Sequence, residues 1–394
     1  MSDVVLRGTL VLMAPALIEQ ASELREFVGS VSRMRDAVGV LSITIGIEPG
    51  VVSGGTPGWE IAVENDFARL RHDRSVGPLV TRRSEETSTR LAELLDPTTA
   101  GRGRALYVAL ESGELHEAAL QPALPPGARL GIAAHVLPLL VVVDEAEPAG
   151  LVSASRDAIA VLESELGMVG DVDRIELEQT IGDWWPEMKG PARANPLRGQ
   201  HTVSQRDRYA RRLAAAYRHT LDEASDAIRA LARERCWTRA VLAGDPRTID
   251  VLDEVLRADG VVTTTIAANL EGLRAEDAVR RLEDALDALV AVERARVAQE
   301  VLATAKGVCG LVPVLAALAE GRVDRLLIDP SRTFPGTVGP GESLVAAELG
   351  EGTVDLTDLL VARALATDAA VLPVKRDAAM ALAAAEGVAA FLRW

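Results

Sequence analysis

Asn195-Pro-Leu-Arg-Gly-Gln-His-Thr-Val-Ser-Gln-Arg-Asp-Arg-Tyr-Ala-Arg-Arg-Leu-Ala-Ala-Ala-Tyr-Arg-His-Thr-Leu221 changes character at its middle. Up to Ser204 it closes a segment, begun at Gly182, that is rich in Gly, Pro, Asn, Arg and Trp and has no period. That segment is predicted as a long exposed loop, and such loops in compact domains are functional or disordered more often than decorative. From Gln205 onward, Tyr209, Leu213, Ala216, Tyr217, Leu221, Ala224 and Ile228 recur at helical spacing, which predicts one long helix to about Glu234. Just ahead of that helix stands Gly199-Gln200. A glutamine has no useful pKa and cannot be a general base, but it can position a water and donate a hydrogen bond to a developing oxyanion. Glycine beside it permits backbone angles and a close approach that a Cβ would block.

Charge is concentrated around this junction. The chain of 394 residues has a formal net charge of −16, which taken alone argues against a generic nucleic-acid binder. Yet between Met188 and His219 eight basic residues stand against the single acid Asp207. A patch of that kind can grip a phosphate backbone at one place; its bland alternative is a solvated helix face. Lysine occurs only at Lys189, Lys306 and Lys375, an arginine-for-lysine usage expected of a GC-rich bacterial genome.

Other chemistries find little support. Cys236 and Cys309 are far apart and out of metal-ligand spacing, so they are expected as buried thiols in a reducing compartment. His72, His116, His135, His201 and His219 form no zinc pattern. The most apolar run, Ile132 to Val143, is too short to span a bilayer and contains His135 and Pro138. The N-terminus has no basic region followed by an apolar run and cleavage site, so the protein is expected in the cytoplasm, with no membrane partner.

The length implies two or three domains. In the first third, helices are expected over about 16–38 and 83–95, and strands over 41–47 and 105–110. Pro138-Leu-Leu-Val-Val-Val-Asp144 is an unbroken apolar run of the kind seen in buried strands. Short strands are expected at 150–155, 158–163 and 174–178, then a strand Arg239–Gly244 and a helix 248–258. Beyond lie helices from about 271, over 289–305, 312–320 and 356–366, strands over 324–329, 369–374 and 387–394, and a loop over 330–342. Asp329 and Asp368 read as strand-end and turn residues. Alternating helices and strands indicate an α/β architecture.

The order of these features resembles the archaeal and eukaryotic class I peptide-chain release factors and Pelota. Their central domain carries a Gly-Gly-Gln loop followed by a helix of the form Arg-Phe-Ala-Arg and then Ala-Tyr-His. Here Arg208-Tyr-Ala-Arg211 and Ala216-Tyr217 match the helix, Arg198-Gly199-Gln200 stands where Gly-Gly-Gln would be, and Val241-Leu-Ala-Gly244 is similar to the strand that follows. Gly307, Leu311 to Leu318, Gly321, Val323 to Ile328 and the closing Gly387 to Arg393 resemble the family's third domain. The N-terminal third resembles the domain of the bacterial branch.

The resemblance implies three α/β domains: an N-terminal α/β domain (1–136), a central domain with an RNase H-like mixed sheet and the Gly-Gln loop (137–268), and a C-terminal α/β sandwich (269–394). It implies hydrolysis of peptidyl-tRNA at the peptidyl-transferase centre, with Gly199 and Gln200 as the catalytic pair and Arg198, Arg206, Arg208, Arg211, Arg212 and Arg218 on RNA. No metal or organic cofactor is needed. The partners are the large-subunit RNA and peptidyl-tRNA, and delivery by a translational GTPase stays open. Two departures shape the reading. Arg198 replaces the first glycine, and the spacing from Gln200 to Arg208 is about four residues longer than in the family, which makes Gln205 a rival for Gln200. No Asn-Ile-Lys-Ser-like codon-reading motif is present. The expected role is therefore release on stalled ribosomes, as in ribosome-associated quality control, rather than stop-codon decoding. The alternatives are non-catalytic A-site occupancy, as in Balon-type hibernation factors, and a paralogue that has left the ribosome. Trp184-Trp185 reads as a hydrophobic anchor for the loop or as a base-stacking platform, and His201 as a loop residue rather than a base.

Overall fold

The computed structural model describes residues 17–47, 57–73, 76–96, 100–145, 147–155, 157–177, 205–266, 270, 273–350 and 352–394; the side chains of 95, 205–214, 216, 376 and 377 fall outside that description. These residues form two compact units, one from Met1–Ala146 with Ala291–Trp394 and the other from Glu147–Val290.

The first unit opens with β1 (Leu17–Ile18), α1 (Ala21–Val31), β2 (Arg35–Gly46), α2 (Gly58–His72), α3 (Gly77–Glu86), α4 (Ser88–Leu95), β3 (Gly103–Ala109), β4 (Leu115–Leu120), β5 (Gly127–Ala133) and α5 (Leu137–Glu145). The sheet order is β1-β4-β3-β2-β5, antiparallel except where β1 joins β4. Leu41, Ile43 and Ile45 of β2 meet Leu106 and Val108 of β3, Val63 and Phe67 of α2 and Val80 of α3 in one core. Val40, Ser42 and Thr44 on the other side of β2 are buried as well, so both faces of this strand are covered.

Two expectations are corrected here. The helix expected over 16–38 ends at Val31, and β2 begins at Arg35. An irregularity in pairing between Arg35 and Val40 disguises the strand's period, and the Asp36 carboxylate turns the chain there by accepting the N–H groups of Val38 and Gly39, both at 3.0 Å. Second, Pro138–Asp144 lies in helix α5, not in a strand. A short apolar run buried on all sides has no periodicity to separate the two states. The Val136 carbonyl starts the helix by accepting Leu139 and Leu140 N–H at 3.0 Å, and Pro138 costs no hydrogen bond in a first turn.

The second unit contains β6 (Ala149–Ala154), β7 (Ala158–Glu165), β8 (Met168–Glu176), α6 (Gln205–Glu234), β9 (Arg239–Gly244), α7 (Pro246–Ala258), β10 (Val262–Ile266) and the first part of α8 (Ala275–Ala303). Its sheet runs β10-β9-β6-β7-β8; the first three strands are parallel and the last two antiparallel, the expected mixed sheet. Helices α6 and α7 cover one face through Ile228, Leu252 and Leu256 against Val152, Ile159 and Leu242. Leu282 and Leu286 of α8 pack on Leu151 and Val241 of the other face. Cys236, expected buried, is exposed. It occupies a left-handed position (φ 55°) just past α6, where Trp237 N–H closes the helix end on the Ala232 carbonyl at 2.9 Å.

The chain then returns to the first unit with the rest of α8, a single helix where two were expected, and with β11 (Gly307–Cys309), α9 (Leu311–Ala319), β12 (Val323–Ile328), β13 (Pro335–Val338), β14 (Leu344–Ala346), β15 (Val354–Asp355), α10 (Thr357–Ala366), β16 (Ala370–Pro373), α11 (Arg376–Ala381) and β17 (Val388–Leu392). Four strands form the sheet β11-β17-β12-β16; β14-β13-β15 form a small antiparallel one. The expected loop over 330–342 thus contains strand β13. Arg294 of α8 donates through Nε to Asp144 of α5 at 2.8 Å, tying the two passages of the chain together.

Asp355 organises the start of α10. Its Oδ1 accepts the Thr357 hydroxyl at 2.5 Å and the N–H groups of Thr357 and Phe334 at 3.1 Å. Burial alone would raise its pKa, but these bonds and the Arg129 guanidinium outweigh it and hold the carboxyl below its ordinary value. A depressed folded-state pKa contributes stability above the unfolded value and loses it as pH falls. We therefore expect Asp355→Asn to unfold at lower urea than the wild type at neutral pH. The gap should close as pH drops below about 4, the ordinary carboxylate range; urea midpoints across pH measure it.

Candidate functional site

Helix α6 is built from strong helix formers, alanine, arginine and leucine. At 30 residues it extends about 45 Å at 1.5 Å per residue. Leu221, Ala224, Ile228 and Ala232 are buried against the mixed sheet, with Tyr217 packed beside them. Their spacing of three and four residues makes one continuous stripe.

The N-terminal part of the helix carries the basic positions Arg206, Arg208, Arg211, Arg212 and Arg218. Arg218 is exposed; the side chains of the other four and of Gln205, the first residue of α6, lie outside the described residues. Arg198, Gly199 and Gln200 lie there too, as do His201, Trp184 and Trp185. The charge then reverses: Asp222, Glu223 and Asp226 are exposed further along, and His219 faces Glu223 at 3.5 Å. Helix stability would select the opposite order. Cations near a helix N-terminus oppose the macrodipole, by about 0.3–1 kcal/mol each at the surface.

Two residues not singled out in the sequence, Thr248 and Asp245, join Tyr217 in fixing α6 in place. The Tyr217 hydroxyl meets the buried Thr248 Oγ1 at 2.8 Å. Thr248 in turn bonds Asp245, whose carboxylate accepts Thr248 N–H at 3.2 Å as the N-cap of α7. Asp245-Pro246-Arg247-Thr248 does carry a legible signal, an aspartate cap followed by proline in the first turn. Gly244, last residue of the Val241–Gly244 strand, is required by space. Its φ is +121°, and a Cβ would stand 1.8 Å from the Ala154 carbonyl oxygen. Gly150 similarly admits the Trp237 ring, which a Cβ would approach to 2.3 Å, while Trp237 Nε1 donates to Glu163 at 2.8 Å.

Among the described residues, no group of three or more His, Cys, Asp or Glu could hold a metal ion, and no helix is long and apolar enough to cross a membrane.

Residues 135–294 match the family model described as bacterial archaeo-eukaryotic release factor family 10. The span runs from just before α5 into α8 and includes the whole mixed sheet. Among solved structures, the chain is similar to an archaeal translation termination factor, aRF1, with 18% identity over 95% of this chain and 99% of that one and a TM-score of 0.26. It is also similar to Pelota of Archaeoglobus fulgidus, with 14% identity over 74% and 79% and a TM-score of 0.34. A third is Dom34 of S. cerevisiae, described as a translation termination-like factor in RNA quality control that interacts with Hbs1, with 11% identity over 74% and 79% and a TM-score of 0.37. No curated protein matches in sequence.

Removing the link between α6 and α7 should be measurable. Tyr217→Phe is expected to lower the stability of the second unit by about 1 kcal/mol, the net worth of one hydrogen bond, because Thr248 keeps Asp245 as a partner. Urea denaturation monitored by the fluorescence of Trp237, in a chain whose other four tryptophans are replaced by phenylalanine, reads it.

Proposed function

We propose that this chain is a member of the bacterial branch of the archaeo-eukaryotic release factor superfamily, that it acts at the ribosome and that it hydrolyses peptidyl-tRNA on stalled complexes without decoding a stop codon. The observation that carries the reading is α6. In a chain of net charge −16, five arginine positions crowd the N-terminal half of one helix, two of them in its first turn against the dipole, shortly after Gly199-Gln200.

The chemistry is ester hydrolysis. Water adds to the carbonyl carbon that joins the nascent peptide to tRNA; the ester C–O bond breaks, the ribose oxygen leaves with a proton, and the peptide leaves as its acid. Gln200 orients the water through its carboxamide and donates to the oxyanion, a role that requires position rather than basicity. Gly199 allows the backbone to enter the narrow peptidyl-transferase centre. Arg198, Arg206, Arg208, Arg211, Arg212 and Arg218 neutralise RNA phosphates and hold the segment there. The ribosomal RNA supplies the rest of the site, and no metal or organic cofactor is required. The work is done in the cytoplasm.

Release of labelled peptide from stalled ribosome–peptidyl-tRNA complexes tests this. We expect release by the wild type and a loss of about a hundredfold or more for Gln200→Ala, the scale of removing one oxyanion donor. Loss with Gln205→Ala alone would shift the catalytic position by five residues, and ribosome binding without release would replace the hydrolase by A-site occupancy. Arg208→Ala with Arg212→Ala should weaken ribosome binding and flatten its logarithmic salt dependence by about 0.7–0.9 per lost phosphate contact, as titration at several salt concentrations would show.

A further inference from the structure

A second polar site lies in the first unit, apart from α6. Ser42, Asp66, Arg69, Arg129, His135 and Pro138 line a cavity of about 260 Å³ beside the end of β5. Two of its polar groups, Arg129 and His135, are held by acids that do not line it. Asp355 Oδ2 accepts Arg129 Nη2 at 2.6 Å, and Asp358 Oδ1 lies 2.5 Å from His135 Nδ1. With Nδ1–H given to Asp358, Nε2 is the other ring nitrogen, and it donates to an anionic guest in the imidazolium form. Arg129 Nη1 stands 3.4 Å from Nδ1 and 3.5 Å from Nε2.

The remaining lining favours a guest that accepts hydrogen bonds. Buried Ser42 uses its oxygen to accept His135 N–H at 2.9 Å, which leaves its hydroxyl hydrogen to donate. Asp66, the one acid of the lining, is engaged by Ala128 N–H at 2.9 Å and by Arg69. Two arginines, a carboxylate-backed histidine and a hydroxyl thus converge on one small space in a chain of net charge −16. Such a set matches a tetrahedral oxyanion, whose oxygens accept charge-assisted bonds from several directions. The volume is below the range of roughly 300–1,000 Å³ typical of pockets for larger organic ligands and suits a phosphate group with little more than a sugar attached.

We propose that this cavity binds a phosphate group, carried either by a small phosphorylated molecule or by an RNA backbone. Asp355 and Asp358 are positioning residues that aim Arg129 and His135. The site is independent of peptidyl-tRNA hydrolysis and stands or falls separately.

Isothermal titration calorimetry of the full chain tests it, with inorganic phosphate, adenosine 5′-monophosphate and a short single-stranded RNA lacking a terminal phosphate as probes. The variants are Arg69→Ala and His135→Gln, each checked by thermal melting. The proposal expects one site whose affinity falls about tenfold in Arg69→Ala, with a comparable fall in His135→Gln. Binding of phosphate or the mononucleotide identifies a small-molecule source. If only the RNA binds, and does so more weakly in the variants, the source is the RNA backbone. No heat with any probe, or binding that both variants leave unchanged, overturns the proposal. If His135→Gln fails to fold, the exposed Arg69→Ala decides alone.

Discussion

The packing of one stripe of α6 on the mixed sheet is the contact on which the functional reading depends. Leu221, Ala224, Ile228 and Ala232 are buried there, and burying a leucine or isoleucine contributes about 1.5–3 kcal/mol each. Of the five basic positions in the N-terminal half of the helix, Arg206 and Arg208 stand in its first turn and oppose the dipole by about 0.3–1 kcal/mol apiece. Two large buried side chains more than offset that cost, and the smaller ones with Tyr217 add to the margin. The apolar half of the helix therefore allows the other half to carry charge that no isolated helix would favour. Everything that seats this stripe, from Gly244 against Ala154 to the Asp245–Thr248–Tyr217 chain, supports the site indirectly.

Long amphipathic elements were the legible part of the chain. The spacing from Tyr209 to Ile228 predicts the helix that α6 forms, and the order of strands and helices from Gly150 to Ala258 reproduces the mixed sheet. What misled was local ambiguity. Pro138–Asp144 is apolar without a period, so helix and strand looked alike. In β2, the Asp36 turn breaks the alternation that would have marked its start. Cys236 reads in the sequence as a buried thiol, but the helix-terminating turn places it at the surface.

The chemistry divides in the same way. Arg206 to Arg218 are legible because they are neighbours on one helix, where sequence distance and spatial distance coincide. His135 and Asp358 are separated by 223 positions, and only the passage of the chain out to the second unit and back through α8 brings β5 to α10. No single-sequence pattern encodes that pairing. Asp355 and Arg129 meet for the same reason. Clusters assembled by chain return are where structure adds most to a reading from sequence.

The central claim is that the Gly199-Gln200 segment enters the peptidyl-transferase centre. Directed hydroxyl-radical probing addresses it most directly, with an iron chelate on a cysteine introduced by His201→Cys in a chain whose own Cys236 and Cys309 are replaced by serine or alanine. On stalled ribosomes, the account predicts cleavage of large-subunit RNA confined to the peptidyl-transferase centre. Cleavage confined to other RNA, or none while the protein still sediments with ribosomes, would contradict it.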